Sequence, residues 1–306
     1  MKQLKTKTNQ ENNSVPLKTK PLKLRMRPWL ILLPSLIVLM GILIPFITAI
    51  LYSFTDISFR SSAVHFVGLT NWIDMFTSKD FWHAVLVTFE YGILATVLEM
   101  LIGVIIALTL NNDHLYAKIL NVVLIFPLMV APVIGCLMWN LMTNNTFGLM
   151  EKFLNLFGVY SFPWGASSKT ALLYVIIIDI WINTPFVLLL ARAGLQGLPK
   201  SPYEAAQIDG GSAWFTFRRL TLPLLKPVLL IALIFRIVAA LQEFAIIYST
   251  TKGGPGNTLT NLSLYAYQTA FPYSSLGKAI PYIMVLWMII NLISKKLVAM
   301  YNNSRE

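Results

Sequence analysis

The sequence predicts an all-α integral membrane protein with six transmembrane helices, and three observations carry that prediction. Of 306 residues, 56% are hydrophobic and 12% charged, whereas about a quarter of the positions in soluble domains are charged. Six apolar runs approach or exceed the ~20 residues needed to cross ~30 Å of hydrocarbon. Lys and Arg are also divided unequally between the two sides that six crossings define.

The runs cover residues 29–54, 84–110, 119–142, 171–191, 227–248 and 279–300. The first is too long for a signal-peptide core and has no small-residue cleavage site behind it, so it is read as a retained helix. Its Pro34 and Pro45 are tolerable because neighbouring helices can satisfy the freed carbonyls. With the amino terminus inside, 17 Lys and Arg lie on the inner side and six on the outer (Arg60, Lys79, Lys152, Lys169, Lys252, Lys278). That bias places both termini in the cytoplasm. The expected organisation is a disordered basic tail over residues 1–28, a first transmembrane helix and external loop over 29–83, and a core domain over 84–300. The core contains a long cytoplasmic loop at 192–226, and residues 301–306 close the chain.

Composition excludes several function classes. The net charge of +11 suggests nucleic acid, but eight of the 24 basic residues lie in the first 27 positions, in an Asn/Gln/Lys/Thr-rich stretch. That segment reads as a solvated topology signal. One Cys (Cys136) and three scattered His (His65, His83, His114) provide neither a disulfide framework nor metal-ligand spacing. A phosphate-cradling G-x-x-x-x-G-K-[ST] loop is missing, as is any His-Glu-x-x-His or a Ser or Cys beside a plausible base. The chain is therefore read as a non-enzyme with no metal and no cofactor of its own. In the external loop 143–170, Leu149, Phe153, Leu156 and Phe157 recur at helical spacing, as in a short interfacial helix or a packed loop helix.

The 35 or so residues at 192–226 are too many for a plain turn between helices. Ser201 can cap a helix with Pro202 in its first turn, and Glu204 stands where the helix dipole favours an acid. Ala205 and Ala206 admit a close partner surface, and Gly210-Gly211 can end the helix. Ser212 can then cap a second helix over 214–220, backed by Trp214, Phe215 and Phe217 and closed by Pro223. Local physics permits either a docking element or an amphipathic interfacial hairpin.

The string Glu204-Ala205-Ala206-Gln207-Ile208-Asp209-Gly210, followed by Leu220-Thr221-Leu222-Pro223, resembles the EAA signature of permease subunits of binding-protein-dependent ABC importers. The resemblance implies a type I ABC importer permease fold in a prokaryotic inner membrane. It also implies a coupling helix at 204–210 docked on a nucleotide-binding subunit, with Glu204, Ala205, Ala206, Asp209, Gly210 and Pro223 in the ATPase-coupling element. The implied partners are a second homologous permease, two ATPase subunits that hold ATP and Mg, and an extracytoplasmic binding protein.

Ile246 to Pro255, with Thr258, Leu264, Tyr265, Tyr267, Ala270 and Phe271, is similar to the sugar permeases of the maltose and glycerol-phosphate group. Trp181 to Phe186 and the early Phe54-Thr55-Asp56 and Phe66 to Leu69 fit the same group, which implies a carbohydrate or polyol cargo. The residues at 253–256 are read as an irregular glycine turn at the outer end of helix five, either lining a ligand path or forming a plain loop.

Five charges fall within the predicted spans: Glu90, Glu99, Asp179, Arg236 and Glu243. At 1.5 Å per residue from the cytoplasmic helix ends, Glu99, Asp179 and Arg236 all sit roughly 14–18 Å deep. Pairing of Arg236 with Glu99 or Asp179 is therefore allowed. Glu243, seven residues beyond Arg236, is expected on the same face of helix five. Asp179, Asn183, Arg236, Gln242, Glu243 and Tyr248 form the substrate-pathway shortlist, with a structural network between helices as the alternative. A channel or ion-coupled carrier would use the same charges as ion sites, but has no need of the docking loop.

Overall fold

The computed structural model describes residues 22–112 and 114–304, residues 22–30 by backbone alone. The disordered tail expected at 1–28 lies outside the described residues up to position 21. From Leu22 the backbone is already helical, seven residues before the expected start of the first span.

α1 (Leu22–Tyr52) up to Ile50 makes one unit, and Leu51 onward makes the other. The second unit contains α2 (Thr70–Thr77), α3 (Lys79–Thr109), α4 (Leu115–Ile125) and α5 (Pro132–Met142), with a 3-10 turn at Phe126–Met129 between the last two. It continues through α6 (Leu149–Asn155), α7 (Ala171–Gln196), α8 (Ser201–Ile208), α9 (Ala213–Thr216) and a π-helical turn (Phe217–Thr221) into α10 (Leu222–Leu241). α11 (Ala245–Thr250), α12 (Leu262–Ala270) and α13 (Leu276–Asn303) complete it. Among the described residues five helices are long and apolar enough to cross a membrane, or six where the bent pair formed by α4 with its 3-10 turn and α5 counts as one span.

The third span, expected as one helix over 119–142, bends by 104° between Met129 and Pro132. Its prolines account for the bend. Pro127 removes a helical donor and crowds the preceding turn, and Pro132 pushes Ala131 to an extended conformation (φ −59°, ψ 133°) that ends helical geometry. The fifth span also differs from its expected 227–248. It starts at Leu222, directly out of the π turn, and ends at Leu241. α6 forms where helical spacing placed it, with Leu149 and Phe153 exposed.

α7 is the central helix of the second unit, with more than half of its apolar window buried. α3 lies along it, and a Cβ placed on Gly103 would come within 2.7 Å of Val187. Lipid removes most of the hydrophobic drive between helices, so close approach at small residues has to supply the packing energy. Towards one end the core gathers Tyr91, Trp139, Tyr174 and Ile246, and towards the other Ala107, Leu188 and Leu225. The loop after α1 is pinned to the α12–α13 turn by Ser58 Oγ donating to the Ser274 carbonyl at 2.6 Å. Within that loop Asp56 accepts from the His65 backbone N–H at 2.6 Å, which holds its carboxyl below the ordinary value. This bond keeps its contribution above the ordinary carboxylate pKa and loses it as pH falls through the depressed value.

Gly103→Val should overpack the α3–α7 seam and cost about 1–3 kcal/mol. Thermal unfolding of the purified assembly would show this, and an unchanged midpoint would mean that the seam relaxes freely.

Candidate functional site

Two regions collect the residues singled out from sequence. The first is a charge cluster where α3, α7 and α10 meet. Arg236 of α10 donates from Nε to Glu99 Oε2 at 2.5 Å and from Nη2 to Glu99 Oε1 at 2.8 Å. The same Nη2 reaches Asp179 Oδ1 of α7 at 3.4 Å. Asp179 also accepts from Tyr91 Oη at 2.8 Å and from the Asn183 side-chain amide. Glu99 and Asp179 are 0% exposed and Arg236 is 6% exposed. Arg236 therefore pairs with both carboxylates at once, and the fork-on-fork geometry to Glu99 is the strong kind of charged hydrogen bond.

The shortlist divides on exposure. Asp179 and Arg236 are sealed inside the helix contact, whereas Gln242 is exposed and Asn183, Glu243 and Tyr248 are half-buried. Glu243 is not on the face of helix five with Arg236. α10 ends at Leu241 with Gln242 as its cap, and Glu243 stands in the break before α11. Its Oε1 accepts from the Ile246 N–H at 2.7 Å, satisfying an orphan donor in the first turn of α11. Asn261 braces the break from α12, since its amide donates to the Glu243 carbonyl at 2.5 Å and its Oδ1 accepts from the Leu264 N–H at 2.9 Å. Beside the break, the rings of Phe244 and Tyr248 stack 5.1 Å apart, and Tyr267 meets both at 5.0 and 5.2 Å. The Gly253 turn follows α11 and is packed. Gly253 has φ +88°, and a Cβ there would come within 2.7 Å of Leu264 and Thr260.

The second region is the loop between α7 and α10. α8 begins with Lys200 as its cap, so Ser201 is its first residue and makes no side-chain capping bond. Its end is a full Schellman motif. The Gly211 N–H bonds the Ala206 carbonyl at 2.8 Å and the Gly210 N–H bonds the Gln207 carbonyl at 3.3 Å, with Gly210 at φ +72°. Ser212 caps α9 as expected, its Oγ accepting from the Phe215 N–H at 3.2 Å. Pro223 closes nothing. The backbone widens into the π turn and Pro223 occupies the first turn of α10, where a missing N–H is harmless. Trp214 and Phe215 do not back the loop either, being 67% and 52% exposed.

No residue of α8 is buried, and Ile208 is 87% exposed. Glu204, Ala205, Gln207, Asp209 and Gly210 are exposed, with Ala206 half-buried. The hydroxyl of Tyr203 donates to Thr221 Oγ1 at 3.1 Å, tying α8 to the π turn. Behind α8 opens a crevice of about 880 Å³ lined by Asn111, Asn112, Arg192, Lys200 and Tyr203 among others.

Sequence reasoning missed Tyr91 and Asn261. Tyr91 carries a faint signal, since it precedes Glu99 by about two turns on the same helix. Asn261 carries none, because a helix cap in a loop is visible only once the loop is placed.

Arg236→Met strands two buried carboxylates and should cost about 3–5 kcal/mol, whereas Glu99→Leu/Arg236→Met together should recover part of it, the Glu99 share, because Asp179 stays buried without a cation. The comparison is read from the thermal midpoints of the purified assemblies, and a double variant as unstable as the single would contradict it.

Residues 99–301 match the family of binding-protein-dependent transport system inner membrane components. The trehalose/maltose transport system permease protein MalF of Thermococcus litoralis is 38% identical over 251 residues, spanning 81% of this chain and 83% of that protein. A probable ABC transporter permease protein, y4oQ, of Sinorhizobium fredii is 36% identical over 265 residues, 85% of each chain. Among solved structures, a bacterial ABC transporter involved in alginate import superimposes with a TM-score of 0.80 at 19% identity, over 93% of this chain and 99% of that one. That likeness establishes the fold, the type I arrangement of ABC importer permeases. With an α8 loop carrying the EAA string and a matched segment that runs from within α3 to the last turn of α13, the chain belongs to the binding-protein-dependent inner membrane components, as the membrane-embedded permease of an ABC transporter and not an enzyme.

Proposed function

We propose that the chain conducts a saccharide or polyol derivative across a prokaryotic inner membrane, with both termini in the cytoplasm. An extracytoplasmic binding protein delivers the cargo, and a second homologous permease and two ATPase subunits complete the assembly. ATP and Mg are held by those ATPase subunits. Support for the cargo class comes from relatives whose names specify trehalose/maltose, sulfoquinovosyl glycerol and starch degradation products.

The observation that carries the coupling role is α8. An eight-residue helix is marginal on its own, yet this one is held by its Schellman end and the Tyr203–Thr221 bond while exposing Glu204, Gln207 and Ile208. An element fixed in shape with no buried side chain is built to be covered. We assign Glu204, Ala205, Ala206, Asp209 and Gly210 to contact with an ATPase subunit, and Pro223 to the start of the transmitting helix. ATP binding closes the ATPase pair, draws the two permeases' coupling helices together and turns the cavity outward to receive sugar.

In the cargo path we place the accessible part of the shortlist: Asn183, Gln242, Glu243 and Tyr248, with Phe244 and Tyr267 supplying aromatic faces to a sugar ring. Asp179 and Arg236 hold the helices that frame it.

The test is the whole reconstituted complex with its binding protein, assayed for ligand-stimulated ATPase activity and uptake across a saccharide panel. Glu204→Lys should lower both at least about tenfold, the effect of ~1.4 kcal/mol, with unchanged amounts of this chain in the membrane. Normal uptake in that variant would remove the role assigned to α8. Solute movement driven by an ion gradient in vesicles holding this chain alone would favour an ion-coupled carrier instead.

A further inference from the structure

Assigning α8 to an ATPase subunit leaves the second half of the same loop without a role. From Ala213 the chain runs through α9, the π turn and α10 as one apolar helical stretch to Leu241. Trp214, Phe215 and Leu222 are 67%, 52% and 40% exposed along it, and Arg218, Arg219 and Lys226 are exposed among them. Phe215, Arg219, Leu222 and Lys226 follow at intervals of four, three and four, which puts them on one helix face. The opposite face is the packed one, with Thr221 and Leu225 buried. Trp214 leans on Phe217, their ring centroids 5.6 Å apart. A cleft of about 280 Å³ opens between Ser212, Trp214, Phe215, Arg218 and Arg219.

Charge narrows what fits there. No Asp or Glu occurs from Ser212 to Gln242, and among the described residues none of the three exposed cations has an ion pair or a side-chain hydrogen bond. α8 differs, since it and its cap expose Glu204, Gln207 and Asp209. A merely solvated basic face would carry polar residues between its cations, whereas this one carries two aromatic rings and a leucine.

Depth narrows it further. The 20 residues of α10 rise about 30 Å, the thickness of the hydrocarbon core, so Leu222 marks the core's edge. Arg219 and Arg218 then lie about 4–6 Å outside it, within the headgroup layer, which adds about 5–7 Å on each side. Lys226 starts about 6 Å inside, but side chains lean towards a helix's amino terminus, and a lysine of this length reaches back to the same layer.

We propose that the outward face of α9 and the π turn is a binding site for an anionic phospholipid. Arg218 and Arg219 hold its phosphate in the cleft, Lys226 supplies a further cation at that level, and Trp214 and Phe215 wall the cleft beyond it. Arginine suits this role because its planar donors match phosphate oxygens, and a basic cluster beside a spanning helix gains attraction to an anionic leaflet. The loop is thereby divided, with the acidic α8 turned to a protein and the basic π turn to lipid. That the leaflet is the inner one rests on the orientation given under Proposed function.

The experiment uses the whole complex in membranes of phosphatidylcholine mixed with phosphatidylglycerol, with Phe215→p-benzoylphenylalanine in this chain as a photo-cross-linker and adducts identified by mass spectrometry. Irradiation should give phospholipid adducts in which phosphatidylglycerol exceeds its share of the membrane. Adding Arg218→Gln/Arg219→Gln should lower the ratio of phosphatidylglycerol to phosphatidylcholine adducts at least fivefold. An unchanged ratio overturns the site. So does cross-linking to an ATPase subunit or to the second permease in place of lipid, and so does no adduct at all, which would mean that the face meets only water. Inorganic phosphate should leave the lipid adduct at the level seen in chloride of equal ionic strength, and a selective loss would show a site for the free anion instead. Should the double variant fail to assemble, Arg219→Gln against Arg219→Lys carries the same comparison, and only the first should lower the ratio by more than half. A maleimide that cannot cross the membrane should fail to label Ile208→Cys in right-side-out vesicles. Labelling there overturns the orientation, whereas the adduct ratios decide the site on either side, so the two failures are distinguishable.

Discussion

The arrangement of this chain depends on one buried ion cluster, Arg236 with Glu99 and Asp179. Apolar side chains gain little by leaving lipid for one another, so a bundle in a membrane is weakly specified by greasy contact alone. Three charges with essentially no exposure change that, because any arrangement that separates them leaves a bare ion in a low-dielectric interior. α3, α7 and α10 come from distant parts of the sequence, and the guanidinium is the point at which all three are addressed at once. Tyr91 and Asn183 add two further donors to Asp179, so each of its oxygens accepts within the cluster.

The spans were legible because hydrophobicity over 20 residues is a strong signal, and the shared depth of three charges was legible because helical rise is a constant. The breaks were not. The third span bends where Pro127 and Pro132 interrupt it, and the fifth stops at Leu241 although the apolar run goes on to Tyr248. Hydropathy is blind to such breaks because the residues on both sides are equally apolar. What ends α10 is polar and local: Glu243 bonding forward to Ile246, and Asn261 reaching back to the Glu243 carbonyl. Half of that arrangement lies 18 residues away, beyond the reach of any reading of helix five alone.

The loop between α7 and α10 shows the same division. Gly210-Gly211 announced a helix end, and the Schellman bonds supply one. Pro223 announced an end that did not come, because a proline in the first turn of a helix is as comfortable as one just beyond it. The π turn ahead of it is the adjustment that lets the chain pass from surface loop to spanning helix without leaving helical geometry, and π turns of this kind are frequent at functional sites.

That turn is also a joint. Tyr203 fastens α8 to Thr221, the last residue before α10 begins, and Arg236 lies 14 residues beyond Leu222, the first of α10, about 21 Å up that helix. At the far end of such an arm a tilt of about 10° sweeps the guanidinium by nearly 4 Å, far more than hydrogen bonds of 2.5–2.8 Å survive. A push on α8 that tilts α10 therefore either tears the cluster or swings α3, α7 and α10 together. The charges that hold the bundle in register thus also determine which helices can never move independently.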